Sequence, residues 1–349
     1  MIMFILGLVI ATSIICALMI IVLFPLLKRY ALARPNARSS HAIPTPQGAG
    51  IAIICAILSA GSLGAYILLE SIALEWWVLC CACIVLAITG LVDDLHPLPA
   101  LPRLSLQVAA VSGLVYVALP LAFHDTRVLP TFVPHAIEPL LWVFVGVWCV
   151  NLTNFMDGLD WMSVSEIVPV SLGLSAFFLY LGDDMSAIIA LCTAGAMIGF
   201  APFNRPPAKV FMGDVGSLPL GLIVFYLLYR LSLHGLWASA LLLPLYYVMD
   251  AGITLMKRIL KGERIWQAHR SHFYQQATDN GYTALHVAGT VFSLNIVLAG
   301  LAILTITPQF QQLSQISQLT CLVCLLLVGC VCVSIILQRF ACKRAIQQS

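Results

Sequence analysis

Apolar runs of about 20 residues follow one another along the chain, each closed by a short polar segment rich in Pro, Gly, Lys or Arg. A helix of that length crosses a hydrocarbon core of ~30 Å. The runs predict about eleven spans, at 3–27, 49–69, 76–92, 104–121, 140–151, 164–181, 185–200, 217–231, 236–256, 284–305 and 319–337. The fold expected is therefore all-α, a polytopic integral membrane protein of about 10–11 transmembrane helices, in a single transmembrane domain over 1–349. The first run has no Lys or Arg before it and no small-residue cleavage site after it, which predicts a retained helix instead of a signal peptide.

Composition agrees. Hydrophobic residues make up 61% of the 349 positions and charged residues only 9%, whereas a soluble domain carries about a quarter charged. Placing the N-terminus outside puts every Lys and Arg of the 17 in inner loops or the C-terminal tail, except Arg127 and Arg230. Basic residues stay on the cytoplasmic side, so the expected topology is N-out, C-in, with cytoplasmic loops carrying the chemistry. The 12 cysteines lie in or beside apolar runs and read as small hydrophobes; Cys321-x-x-Cys324 has no second pair to complete a zinc site.

The acidic residues then divide. Glu70, Glu75, Asp125, Glu138, Asp183 and Asp184 fall at outer ends, where a solvated face is expected. Asp93, Asp94, Asp157, Asp160 and Asp214 all fall at inner ends of spans, beside Gly, Asn or Pro. Asp93 and Asp94 are adjacent, so they either share a cation or one holds a proton. Asn154, Asp157 and Asp160 step by three, which puts hard oxygen donors on one side of a helical turn and suits Mg²⁺ completed by phosphate and water. Gly213-Asp214-Val-Gly216-Ser217 opens the eighth span, where a helix N-terminus and glycine backbone favour an anion and Asp214 calls for a cation between. His269-Arg270-Ser271-His272 can hold phosphate oxygens through charge-assisted bonds. In the loop at 34–50, Arg38 and His41 read equally as phosphate contacts or as part of a rigid turn. Asp250 is an intramembrane acid, with Lys257 or Arg258 as the expected partner.

The order and sidedness of these motifs resemble the polyprenyl-phosphate N-acetylhexosamine-1-phosphate transferases, glycosyltransferase family 4. The resemblance runs from about Arg34 to Tyr274, and Arg34-Pro-Asn-x-Arg38-Ser-Ser-His41 and His269-Arg-Ser-His-Phe-Tyr-Gln275 look most like the branch serving O-antigen and related surface polysaccharides. It implies transfer of a sugar 1-phosphate from a UDP-sugar to undecaprenyl phosphate, with UMP released. It also implies Mg²⁺, for which Mn²⁺ could substitute, on Asp214 and Asn154. Asp93 and Asp94 would serve the lipid phosphate, and Asp157 and Asp160 would order the diphosphate and metal. Phe211 would stack on uracil, Asn204 would line the nucleotide pocket, and His269, Arg270 and His272 would hold diphosphate or sugar. Arg38 would replace the basic residue that the family carries just before Pro44-Thr-Pro46. Trp161 stands where the family usually has Gly; its indole either narrows the sugar site, the favoured expectation, or packs into the neighbouring helix.

The partners implied are the two substrates and membrane lipid, with no nucleic acid; a homodimer is left open. Direct attack by the lipid phosphate and a two-step route through an aspartyl phosphate both stay open. Competing readings are a phospho-MurNAc-pentapeptide-type transferase and, from another class, a secondary transporter of an organic anion. A transporter would keep its ionisable residues near the midplane in repeated broken helices.

Overall fold

The computed structural model describes residues 2–33, 44–69, 72–118, 127–129, 133–134, 136–263 and 269–343. Its helices are α1 (Ile2–Tyr30), α2 (Gly50–Leu68), α3 (Leu74–Leu95), α4 (Ala100–Gly113), α5 (Ile137–Phe155), α6 (Met162–Leu181), α7 (Asp184–Phe200), α8 (Asp214–Leu233), α9 (Trp237–Leu242), α10 (Leu245–Leu260), α11 (Phe273–Asp279), α12 (Ala284–Ile303), α13 (Pro308–Gln311) and α14 (Gln315–Ala341). Two-residue strands, β1 (Leu32–Ala33) and β2 (Thr45–Pro46), pair antiparallel. Among the described residues, eight helices are long and apolar enough to cross a membrane: α1, α2, α3, α5, α6, α8, α12 and α14. The protein is an all-α polytopic membrane protein.

Two expected spans differ in form. The fourth begins earlier, as α4, and continues into a π-helical turn at Leu114–Ala118. The ninth is broken into α9 and α10 at Pro244, which has no N–H to continue the ladder.

The core is arranged around α8, which is buried from Val215 to Leu233. A helix apolar on all sides belongs in the centre of a bundle, and α8 packs against α2, α3, α5 and α9. The hairpin of α6 and α7 closes one flank, with α1 and α2 against α7 and α12 against α6. At the N-terminal end of α8 the approach is close: a Cβ on Gly50 would fall on the Cα of Gly216. The Pro-Thr-Pro turn runs alongside, with Phe211 N–H donating to the Pro46 carbonyl (2.8 Å) and Gly50 N–H to the Met212 carbonyl (2.9 Å).

The opposite end of α8 corrects the expectation for the outer acids. Arg230 pairs with Glu75 of α3 (2.5 Å) and Asp183 of the α6–α7 turn (2.6 Å), and Arg127 pairs with Glu138 of α5 (2.8 Å). These acids are buried partners, not a solvated face. Both exceptions to the basic-residue distribution are thus held in ion pairs. Asp184 is exposed, as expected; Glu70 and Asp125 lie outside the described residues. All 12 cysteines are free.

Candidate active site

The site lies where the C-terminal ends of α3 and α5 meet the N-terminal end of α8. Asp93 and Asp94 occupy the last turn of α3, a position that opposes the helix dipole. Asp94 resolves this by turning to the positive end of α8. Its carboxylate accepts the N–H groups of Asp214 (3.0 Å) and Val215 (3.1 Å). Gly213 has φ +77, and a Cβ there would run into the Asp94 carboxylate. The expectation that these backbone N–H groups receive a substrate anion is corrected: Asp94 takes the first two, and the Gly213 carbonyl takes those of Gly216 and Ser217 (both 3.0 Å).

Asp93 faces the other way. It accepts Leu98 N–H at 2.6 Å and pairs with Arg103 of α4 at 2.5 Å. The same guanidinium nitrogen lies 3.5 Å from Asp214 Oδ2. Asn154, at the end of α5, donates to Asp214 Oδ1 (2.7 Å) and to the Ser217 hydroxyl (2.9 Å). Arg103 and Asn154 therefore flank Asp214. Sequence reasoning counted Arg103 only toward orientation; its place ten residues after Asp93, on the next helix, was the available signal.

Asp157 lies in the turn between α5 and α6, where the Ser163 hydroxyl donates to Oδ1 at 2.5 Å. Burial pushes its carboxyl up to about 8, against the pull of Ser163, and the charges of Asp214, Asp94 and Asp160 push it further the same way. Asp160 is 3% exposed and accepts Ala208 N–H at 2.9 Å, so it braces the loop after α7. Asn204 braces the same loop, accepting Trp161 N–H (2.8 Å) and donating to the Val210 carbonyl (3.1 Å). Phe211 pairs through its backbone with Gln47, and its ring is half-buried beside the site.

The His-rich segment docks on the Asn154–Asp160 turn through Tyr274, whose hydroxyl donates to the Phe155 carbonyl at 3.0 Å. His272 is 2% exposed, its Nδ1 3.3 Å from Asp250 Oδ1. Asp250 also accepts the N–H groups of Phe273 (3.0 Å) and Tyr274 (3.1 Å). It caps α11 instead of pairing with Lys257 or Arg258. His269 stacks on His272 with centroids 4.8 Å apart and stays half-buried. Arg270 reaches Asp279 at 2.9 Å. Arg38 and His41 lie outside the described residues.

The model of glycosyl transferase family 4 matches residues 76–232, a stretch that holds Asp93, Asp94, Asn154, Asp157, Asp160 and Asp214. A probable undecaprenyl-phosphate N-acetylglucosaminyl 1-phosphate transferase of Bacillus subtilis is 25% identical over 315 residues, covering 83% of this chain and 84% of that protein. The decaprenyl-phosphate N-acetylglucosaminephosphotransferase of Mycobacterium tuberculosis is 32% identical over 214 residues, 56% of this chain and 52% of the relative. A phospho-N-acetylmuramoyl-pentapeptide-transferase of Enterococcus faecalis is 31% identical over 168 residues, 46% of this chain and 50% of the relative. Over residues 76–232 the chain is similar to glycosyl transferase family 4, and the relatives it resembles are named as transferases acting on polyprenyl phosphates or as a phospho-N-acetylmuramoyl-pentapeptide-transferase. It spans most of the first relative and about half the length of the other two.

The donors gathered here are hard oxygens, the kind a divalent cation such as Mg²⁺ takes. Four carboxylates, of Asp94, Asp157, Asp160 and Asp214, act on one another strongly enough to help raise Asp157. Among the described residues, no three acid, His or Cys side chains form a ready-made metal cage. A cation there would take only one or two protein oxygens and complete its shell with phosphate and water, the usual manner of Mg²⁺. Trp161 packs into the neighbouring helix, the second of the two readings of its indole. Its indole N–H donates to the Ala201 carbonyl at the end of α7 (2.6 Å), and its backbone adopts φ +62. The ring is tied to the neighbouring helix, and the left-handed backbone is one that glycine adopts freely.

Proposed function

We propose that this chain transfers a sugar 1-phosphate, with an N-acetylated amino sugar, from a UDP-sugar to undecaprenyl phosphate and thereby starts a lipid-linked surface polysaccharide of the O-antigen kind. The observation that carries the reading is the convergence of Asp93, Asp94, Asp157 and Asp214 with Arg103 and Asn154 at one end of a membrane bundle. The relatives' names support the same chemistry on polyprenyl phosphates. The distribution of basic residues supports a cytoplasmic site in a bacterial inner membrane.

Phosphoryl transfer needs positioning and charge neutralisation more than covalent help from protein. A phosphate monoester with its second pKa near ~6 is largely dianionic at neutral pH. One of its oxygens attacks the β-phosphorus of the UDP-sugar. The new P–O bond forms as the bond to the α–β bridging oxygen breaks, and UMP leaves with that oxygen. Mg²⁺, held by Asp214 and by the Asn154 oxygen once its amide turns over, would neutralise diphosphate charge. Arg103 and Asp93 orient the lipid phosphate, with Asp94 fixing the end of α8 that carries Asp214. Asp157 lies beside the reacting phosphates, His269 and Arg270 steady the diphosphate, and Phe211 stacks on uracil. Asp160, Asn204 and His272 hold these groups in place. Incubating the purified protein with undecaprenyl phosphate, Mg²⁺ and a panel of UDP-sugars tests the reading. Matched formation of UMP and a lipid-linked diphosphate sugar supports it; no UMP from any UDP-sugar refutes it.

A further inference from the structure

The last helix, α14, ends against the segment that carries Arg270, and the reaction scheme gives that contact no part. Both lie beyond the residues that the family model matches. The buried residues of α14 are Gly329, Val333, Leu337 and Phe340, a single stripe whose last member is 2% exposed. The carbonyls in the final turn of a helix have no N–H partner inside it. Here the Asn280 side-chain amide donates to the Phe340 carbonyl at 2.8 Å, and the Tyr282 hydroxyl donates to the Arg339 carbonyl at 3.3 Å. The Tyr282 ring also meets the Phe340 ring edge-on, with centroids 6.0 Å apart.

Asn280 and Tyr282 are fixed to α11. Gly281 has φ +91, and the helix closes with Gly281 N–H donating to the Thr278 carbonyl (3.2 Å) and Tyr282 N–H to the Ala277 carbonyl (3.0 Å). Arg270 is tied to the same turn, reaching Asp279 at 2.9 Å and the Thr278 hydroxyl at 3.4 Å. The Gln276 amide donates to the Ser271 carbonyl at 2.7 Å, so the chain before α11 folds back along it. With only seven residues, α11 is too short to hold its own shape. Asp250 grips its first turn. The end of α14 grips its last.

We propose that Asn280 and Tyr282, by anchoring α11 to the end of α14, are positioning residues for Arg270. They touch no substrate. They set where the guanidinium sits when it meets the diphosphate, and in this role the proposal rests on the transfer reading above. The anchor itself does not.

Two measurements on the full-length, detergent-purified protein test it. The first is amide hydrogen exchange of the parent, Asn280→Ala and the near-isosteric Asn280→Asp, which replaces the donor with an acceptor. The α11 amides of either variant are expected to exchange about tenfold faster or more, with α8 unchanged. Parent-like exchange in α11 overturns the anchor, whether or not the protein is a transferase.

The second compares kinetics with those of Arg270→Ala and the Arg270→Ala/Asn280→Ala double variant. Either Asn280 variant should raise KM for the UDP-sugar about fivefold or more and leave KM for undecaprenyl phosphate within about twofold. A merely structural role would lower the active fraction and move neither KM. The double variant should fall no more than about twofold below Arg270→Ala in kcat/KM for the UDP-sugar, because both changes act through one group. Unchanged KM for the UDP-sugar, or losses that multiply in the double variant, overturn the positioning role. Asn280→Asp decides the matter if Asn280→Ala fails to fold. A parent without turnover refutes the transferase reading and the positioning role with it, while hydrogen exchange still judges the anchor.

Discussion

The carboxylate of Asp94, at the end of α3, caps α8 by accepting the N–H groups of Asp214 and Val215 at 3.0 and 3.1 Å. An acid that the sequence marks as chemical is therefore also a structural clamp. Asp94→Ala should lower stability by about 1–2 kcal/mol, the usual cost of a lost cap, and should displace Asp214. Asp94→Asn keeps one acceptor oxygen and should lose less. Thermal unfolding of the two variants in the same detergent checks the order.

Asp93 pairs with Arg103, and Arg103 also approaches Asp214. Removing the guanidinium leaves more uncompensated negative charge at the site. Arg103→Met should lower turnover and, at the same time, lower the Mg²⁺ concentration giving half-maximal activity. Titrating Mg²⁺ against rate for the variant and parent separates the two effects. An unchanged half-maximal concentration contradicts the placement of Arg103.

Much of this was legible in the sequence, and the parts that were not share one cause. The apolar runs gave the helices because membrane length and backbone satisfaction leave few alternatives. Asn154 and Asp214, 60 residues apart, were readable as partners because each stood at an inner helix end beside flexible residues, and they lie 2.7 Å apart. Arg103 was hidden because positive charge at an inner loop already had a sufficient explanation. The caps that Asp94 gives α8 and Asp250 gives α11 depend on which helix ends meet, which no local pattern records. The same holds for Arg230, whose partners Glu75 and Asp183 come from separate segments.

Trp161 separates packing from selection. Glycine relieves the left-handed backbone by about 1 kcal/mol, but removing the ring and its bond to Ala201 costs more, of order 2–3 kcal/mol. Trp161→Gly should be less stable than the parent and show the same relative rates across a UDP-sugar panel. A changed order of sugars would restore the selector reading.

Asp157 gives a pH signature. Its folded pKa is pushed up to about 8, above the ordinary carboxylate value, chiefly by burial. The unfolded chain releases this proton near pH ~4, so the group costs stability progressively as pH rises from there to about 8. Without divalent cations, Asp157→Asn should be more stable than the parent at pH 8 by on the order of 1–2 kcal/mol after solvent screening. The difference should vanish near pH ~4. Denaturation midpoints across that range read the effect, and a difference independent of pH would contradict it.

The central claim is that the carboxylate end of the bundle carries metal-dependent sugar-phosphate transfer, with Asp214 at its heart. The most direct measurement follows UMP release and label transfer from β-phosphate-labelled UDP-GlcNAc to undecaprenyl phosphate, for the parent and Asp214→Asn in nanodiscs, with Mg²⁺ and with chelator. The account predicts label in lipid and UMP in equal amounts for the parent with Mg²⁺, none with chelator, and none for the folded variant under either condition. Transfer by Asp214→Asn within a few-fold of the parent, or transfer by the parent in chelator, would contradict it.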